Sequence, residues 1–425
     1  MVVVLLSSFL VRLVLTLSLL PTYIVVKIAP LLAMAICRSA LLLFKHGRNK
    51  LISSSDSYRD LEKDRAAAQS KGDFKFPDKE LLPSRDARGS IDTLDWDCPR
   101  EVFEVAGAQV NVLHKQPGDG HSRSRKKILL LHGNPSWSFM WRNVIEQLVE
   151  EGHEVFAMDW IGHGAIDKPL DAALISFDLH MRTLRSCIEH FQLTGCYIVA
   201  HDWGGCIALC TLPLLPAGTC SGIFLLNTFF PPRPSDISLY YYLLYWTWFF
   251  STGILGGYMP ESMVMRYMCS AATSKVISGY SAPYSASTRS KASIGRFSHI
   301  VPGLPGVLLG LRTADIWWRA AEGLLGPKNF TNINQQARLA ELNISVRKWW
   351  SSEDIDRKNI RPRVSIAFGE DDPLLKDFKG VLEKTFGLDA GDRPIRGTWI
   401  SGAGHYPVEE KPETVGHLVR RFVDE

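Results

Sequence analysis

The sequence predicts an α/β fold in which a mostly parallel sheet carries an inserted helical cap. Apolar β-type runs alternate with helix-like segments between Lys126 and Asn227, which is the pattern of a parallel sheet covered by helices. The alternation stops over 233–348, a region rich in aromatic residues, and the buried strand Val364–Gly369 restores it. We therefore expect a core in two parts, 96–232 and 349–425, with the cap inserted between them.

The elements of the core follow from apolar periodicity. Val102–Val105 and Gln109–Val112 alternate on either side of Ala106-Gly107, which predicts an antiparallel pair. The remaining predicted elements, in chain order, are the strand Ile128–Leu131, the helix Trp141–Val149, the strand Glu154–Asp159, the helix Phe177–Phe191, a strand leading to Asp202, the strand Ile223–Asn227 and, beyond the cap, the strands Val364–Gly369 and Gly397–Ile400. In such a sheet the active site is expected at the carboxyl ends of the strands.

The amino terminus differs in character from the core. Residues 1–50 are mostly apolar, with no Asp or Glu before Asp56, and a membrane span needs about 20 predominantly apolar residues. We expect a membrane anchor here, with the catalytic domain on the cytosolic side because basic residues follow the apolar run. An organelle-targeting peptide is the alternative, since such peptides lack acidic residues. Residues 51–95 are polar and charged and are predicted to be a linker.

Composition excludes several classes of protein. The chain has 425 residues and a net charge of +4, without the aromatic and arginine pattern of a nucleic-acid-binding surface. Its eight cysteines form no CxxC pair and mostly lie in apolar runs, so we expect reduced core residues. No metal site and no cofactor are predicted.

Asp202 is the most informative residue of the chain. An apolar run from Tyr197 leads to this aspartate, and Trp203-Gly204-Gly205 and an apolar helix follow. This arrangement predicts a tight strand-to-helix elbow, which raises one nucleophilic side chain above the end of the sheet. A serine is usual there in esterases. A carboxylate instead favours attack on an electrophilic sp³ carbon, which produces an ester on the enzyme itself.

Four separated segments carry a resemblance to a known family. They are His132–Trp137, His201–Gly205, Tyr280–Tyr284 and Gly402–His405. Together they resemble the haloalkane dehalogenases of the α/β-hydrolase superfamily. The likeness spans about Phe103 to Phe422 and does not include the amino-terminal region.

Chemistry and resemblance agree on three catalytic residues. Asp202 is the expected nucleophile. His405, in a loop after a strand, is expected to take a proton from the water that attacks the ester. Asp372 follows a buried strand and is expected to orient the imidazole; Asp371 is the alternative, because the register rests on the position of Gly369. Asn227 occupies the position where other members of the family carry the acid.

The resemblance also implies donors for a leaving halide. Trp203 is the first, because an indole N–H donates without accepting. The second donor comes from the His-Gly-Asn-Pro loop in one branch of the family and from a cap tryptophan in another, so Asn134 and Trp246 are both retained, with Trp248 as an alternative to Trp246. The backbone N–H groups of Asn134 and Trp203 are expected to form the oxyanion hole.

The leading functional hypothesis is hydrolytic dehalogenation of small apolar haloalkanes through an alkyl-aspartate ester, with water and a halide ion as the other partners. Epoxide hydrolysis is the main alternative: it uses the same nucleophile and base, but two cap tyrosines must protonate the epoxide oxygen. Asn134 argues against it, since that loop position is typically a large apolar residue in epoxide hydrolases. A more distant hypothesis is a membrane-tethered binding protein that has kept the fold and lost turnover.

Overall fold

The computed structural model describes residues 74–78, 81–82, 98–118, 126–232, 236, 238–255, 259–284, 288–301, 333–351, 361–387 and 397–425. The predicted anchor, 1–50, and most of the linker, 51–95, lie outside these residues. Within the described part of the chain, no helix is both long and apolar enough to cross a membrane. Anchor, linker and domain boundaries therefore stay predictions.

A central sheet of eight strands forms the core. The strands are β1 (Leu81–Leu82), β2 (Arg100–Val105), β3 (Ala108–Lys115), β4 (Lys127–Leu131), β5 (Glu154–Met158), β6 (Lys168–Pro169), β7 (Cys196–Asp202), β8 (Cys220–Thr228), β9 (Arg363–Gly369) and β10 (Thr398–Ile400). The order in the central sheet is β10-β9-β8-β7-β4-β5-β3-β2, parallel except where β3 pairs with β2 and with β5. A further antiparallel pair joins β1 to β6. The predicted mostly parallel sheet and its antiparallel entry are thus confirmed.

Helices cover both faces of the sheet, and two buried hydrophobic clusters fill the space between. The central strand β7 is buried along its whole length, which explains its continuous apolar sequence, since a parallel strand meets helices on both sides. The α-helices are α1 (Arg142–Glu150), α2 (Phe177–His190), α3 (Trp203–Thr211), α4 (Leu239–Leu255), α5 (Glu261–Met268), α6 (Ser274–Ser281), α7 (Ala292–Arg296), α8 (Ile333–Ser351), α9 (Phe378–Phe386), α10 (Pro407–Glu410) and α11 (Pro412–Asp424).

The described part of the insertion between β8 and β9 is helical, as the loss of alternation predicted, and comprises α4 to α8 and short 3-10 turns. Specific polar contacts tie it to the core. The Trp137 indole donates to the Gly279 carbonyl over 3.1 Å, and the Tyr280 hydroxyl donates to Glu409 over 2.6 Å. The cap is therefore held beside the loops that follow β4 and β10, where the predicted site residues lie.

Candidate active site

Asp202 lies at a strained elbow between β7 and α3. Its backbone has φ 52° and ψ −120°, a conformation that costs of order 1–3 kcal/mol outside glycine and recurs at functional sites. The neighbouring glycines make the turn possible: a Cβ on Gly204 would lie 2.6 Å from the Leu131 carbonyl, and one on Gly205 would lie 2.7 Å from the Thr228 Cβ. The Thr228 hydroxyl donates to the Asp202 carbonyl. The elbow is fixed from β4 and β8 at once.

The two carboxylate oxygens of Asp202 have different surroundings. Oδ1 accepts the backbone N–H of Asn134 at 2.9 Å, and the backbone N–H of Trp203 also bonds to the carboxylate. Oδ2 lies 3.8 Å from His405 Nε2. The side chain is only 10% exposed, and this burial raises the pKa of the carboxyl. One oxygen is thus held by backbone donors while the other faces the histidine.

His405 and Asp372 form a buried pair. His405 Nδ1 donates to Asp372 Oδ2 over 3.0 Å, and both side chains are almost fully buried. Burial alone would lower the pKa of His405, but the charge and hydrogen bond of Asp372 outweigh it and raise that pKa. For Asp372 burial would raise the pKa, yet His405 and the bond from Asn227 lower it. The structure thus sets an ionised Asp372 behind the imidazole.

The alternative acid, Asp371, lies elsewhere. Its side chain is exposed, whereas Asp372 is fully buried. The backbone N–H of Asp371 bonds to the Ala403 carbonyl at 2.9 Å, which ties the loop after β9 to the loop that carries His405. Asp372 Oδ1 accepts the backbone N–H groups of Leu374 and Leu375, so its oxygen Oδ2 is left to face His405.

Three contacts hold the His405 loop in place. The His201 imidazole donates from Nε2 to the His405 carbonyl over 2.7 Å. Glu410 accepts the Gly404 backbone N–H, and the His405 N–H bonds to the Met268 carbonyl of the cap at 3.3 Å. His201, next to Asp202 in sequence, thus supports the His405 loop from behind.

The structure describes the side chains of some expected halide donors but not of all. Trp203 is buried, with Phe229 and Phe297 packed edge-on against its ring, and within the described residues its indole N–H donates to no acceptor. The Asn134 side chain is also buried and hydrogen-bonds to the cap. Trp246 lies on α4, but its side chain is outside the described residues, so its role stays a prediction. Trp248 packs beside Met259, Tyr284 and Ile294.

Sequence reasoning missed the contact between His163 and Asn134. The His163 side chain is fully buried, and its Nε2 lies 3.1 Å from Asn134 Oδ1. Nothing local in the sequence signals this contact, because 29 residues separate the two. His132 donates to the Gly133 carbonyl and accepts the Trp160 backbone N–H. Within the described residues, no group of three or more metal-ligating side chains occurs.

Comparisons with known proteins agree with this architecture. The family model described as alpha/beta hydrolase fold matches residues 126–252. A haloalkane dehalogenase of Psychrobacter cryohalolentis is 24% identical over 336 residues, which cover 77% of this chain and 93% of that protein. The tetrameric haloalkane dehalogenase DpaA from Paraglaciecola agarilytica superimposes with a TM-score of 0.59 at 20% identity, over 80% of this chain and 97% of that one.

The chain therefore has the α/β-hydrolase fold. The predicted resemblance to the haloalkane dehalogenases is confirmed, since curated haloalkane dehalogenases are among the proteins to which this chain is similar. The epoxide hydrolase CorEH also shares the fold, with a TM-score of 0.50 at 16% identity over 77% of this chain and 98% of that one. The fold is common to both chemistries, so the reaction must be argued from the site.

Proposed function

We propose that the protein hydrolyses haloalkanes to an alcohol and a halide ion through a covalent ester on Asp202. One observation carries the proposal: the elbow presents a carboxylate, with Oδ1 held by the Asn134 backbone N–H at 2.9 Å and Oδ2 3.8 Å from His405 Nε2. The carboxylate of Asp202 thereby has one oxygen free to act as the nucleophile, a base within reach, and an oxyanion hole around the other oxygen.

In the first step, Asp202 Oδ2 attacks the carbon that bears the halogen. A C–O bond forms as the C–X bond breaks, and the halide leaves with the bonding electron pair. Trp203 and Asn134 supply N–H groups to the developing anion, which needs hydrogen-bond donors and no competing acceptor. The ionised form of Asp202 is required, since a protonated carboxyl is a poor nucleophile.

In the second step, His405 Nε2 takes a proton from water and the resulting oxygen nucleophile attacks Cγ of the ester. Negative charge develops on Oδ1, which the backbone N–H groups of Asn134 and Trp203 stabilise. The intermediate collapses, the alkoxide takes the proton from the imidazolium, and the new carboxyl group of Asp202 loses its proton to solvent. The sum is R–X plus water to R–OH, a proton and X⁻.

Epoxide hydrolysis is the second candidate, and one residue favours it. The buried hydroxyl of Tyr241 in α4 has no hydrogen-bond partner within the described residues, and burial, with the nearby charges of Asp372 and Asp202 among the further causes, raises its pKa. A tyrosine that stays protonated could donate to an epoxide oxygen. Two neighbouring cap tyrosines are already engaged: Tyr240 donates to Pro373 and Tyr245 to Ser298. The buried hydroxyl of Tyr284, also in the cap, likewise has no hydrogen-bond partner among the described residues.

Paired substrates separate the two reactions. Purified protein is given 1-bromobutane and, separately, styrene oxide, with Asp202→Asn as the inactive control and Tyr241→Phe as the diagnostic variant. We expect bromide release by the wild type and by Tyr241→Phe, and no diol. Diol formation that Tyr241→Phe abolishes would establish the epoxide hydrolase instead. Ester accumulation without turnover would support the binding-protein hypothesis.

We further propose that residues 1–50 attach the protein to a membrane. The support is the sequence alone: a mostly apolar run without acidic residues. The test compares the full chain with a chain that starts at residue 51, each fused to the same reporter. Membrane sedimentation that needs residues 1–50 and resists carbonate supports an anchor, whereas cleavage on import into an organelle supports the targeting alternative.

A further inference from the structure

The Asn134 side-chain amide is bonded on both sides. Nδ2 donates to the Ile294 carbonyl of α7 over 3.2 Å, and Oδ1 lies 3.1 Å from His163 Nε2. All three residues are buried. An amide has two N–H groups and one oxygen, so these two bonds occupy the oxygen and one hydrogen and leave one N–H.

The two neighbours determine which way the amide faces. If the amide were rotated by half a turn, its oxygen would face the Ile294 carbonyl oxygen at about the distance that Nδ2 now occupies, 3.2 Å, and two acceptors would oppose each other. The observed orientation requires His163 to carry its proton on Nε2. The Ile161 carbonyl, the other acceptor near His163, accepts the single hydroxyl hydrogen of Ser293 over 2.9 Å, and Ser293 Oγ lies 3.4 Å from His163 Nδ1.

His163 is suited to this task because it remains neutral. Burial lowers the pKa of His163 well below its usual range, and His132, His180 and Lys168 add to the effect. A neutral imidazole has a single N–H. The ring is also fixed by packing, with Phe297 edge-on at a centroid distance of 5.1 Å.

The cap contributes directly to this arrangement. Gly162 has φ +84°, and a Cβ there would lie 2.8 Å from Ser293 Oγ, so only glycine lets the loop approach α7 this closely. Ser293 and Ile294 are neighbours on α7. The same cap segment therefore positions the loop that carries His163 and bonds the amide of Asn134.

We propose that His163 is a positioning residue that, with the Ile294 carbonyl, fixes the Asn134 amide so that its remaining N–H is presented to the leaving halide. This inference rests on the proposed dehalogenase function. Without His163 only the Ile294 carbonyl holds the amide, so the remaining N–H is no longer fixed in its direction toward the anion. His163 itself need not touch substrate.

The test is bromide affinity, measured by calorimetric titration of the purified full chain. His163→Phe keeps a buried ring against Phe297 and removes the donor. We expect it to weaken bromide binding about tenfold to a hundredfold, the range of one charge-assisted hydrogen bond. His163→Gln, whose amide can donate at a similar position, should recover most of the loss. His180→Phe is the matched control, because His180 stacks on Phe297 at 4.7 Å and should leave bromide affinity unchanged.

A double-mutant cycle separates positioning from general loss of structure. In an Asn134→Ala background, His163→Phe should cost nothing further in bromide affinity, since the amide that it orients is gone. Wild-type affinity in His163→Phe, or an equal loss in the Asn134→Ala background, would overturn the inference while leaving the dehalogenase proposal intact. A wild-type protein that neither binds nor releases bromide would overturn both.

Discussion

Asn227 and His405 share one oxygen of Asp372. Asn227 Nδ2 donates to Asp372 Oδ2 over 2.7 Å, and His405 Nδ1 donates to the same atom over 3.0 Å. Asn227 Oδ1 in turn accepts the Gly369 backbone N–H at 3.0 Å. Asn227, at the end of β8, thus holds the carboxylate that follows β9. The ends of these two strands are therefore neighbours in space beside His405.

Replacement of Asp372 should slow ester hydrolysis, whereas replacement of its neighbour Asp371 should not. Asp372→Asn removes the charge behind the imidazole, and we expect the rate of ester hydrolysis to fall by about 10²- to 10⁴-fold, the scale of a general-base contribution. Asp371→Asn, one residue away but exposed, should remain within about twofold of the wild type. Single-turnover alcohol release from 1-bromobutane measures both. Equal losses in the two variants would refute the assignment of Asp372.

Removal of the base should trap the intermediate. His405→Ala retains the nucleophile, so bromide should be released once per active site and then stop, because no group activates water. Intact-protein and peptide mass spectrometry should locate the added alkyl group on Asp202. Asp202→Asn in the same experiment should show no adduct and no burst. Steady turnover by His405→Ala is the outcome that contradicts the mechanism.

The two steps should respond differently to pH. Asp202 must be ionised and His405 neutral, and the pKa of each is raised above its usual value, by burial for Asp202 and by Asp372 acting against burial for His405. Both steps therefore slow as the pH falls, each through its own raised pKa. Asp372→Asn removes the charge that raises the pKa of His405, so the acid limb of ester hydrolysis should move to lower pH. The acid limb of the pH profile for bromide release, which depends on the ionisation of Asp202, should move much less. Stopped-flow measurements of bromide and alcohol release across pH give the two profiles.

Two glycine substitutions should change stability in opposite directions. Gly205→Ala places a Cβ 2.7 Å from the Thr228 Cβ inside the elbow and should destabilise the protein by about 1–3 kcal/mol, as overpacking does. Gly380→Ala lies on the exposed face of α9 with nothing within 4 Å and should stabilise it by about 0.4–1 kcal/mol. Chemical denaturation curves compare both variants with the wild type, and a stable Gly205→Ala would argue against the tight elbow.

The tryptophans provide a test of halide donation. Trp203→Phe keeps an aromatic ring and removes the N–H, so bromide affinity should fall about tenfold or more. Trp246→Phe and Trp248→Phe are the paired comparison in the cap: the variant with weakened affinity identifies the cap donor. Unchanged affinity in both would leave Trp203 and Asn134 as the halide donors.

Local patterns in the sequence predicted the fold because they carry its physical causes. The buried strand β7 is apolar throughout since helices cover both faces, and Gly204 and Gly205 follow Asp202 since no Cβ fits at the elbow. The elbow aspartate and the histidine loop are recognisable because each lies in a short local motif. The choice between Asp371 and Asp372 was not, because it depends on which of two adjacent carboxylates the loop turns inward.

The sequence by itself determined the α/β architecture, the carboxylate at the elbow and the family resemblance, each of which rests on patterns within short segments of the chain. Tertiary structure alone decided what those residues touch. His163 reaches Asn134 across 29 positions, and Asn227 reaches Asp372 across 145. Such contacts depend on how the cap and the strand ends pack together, and neither periodicity nor a motif encodes that packing in any one segment.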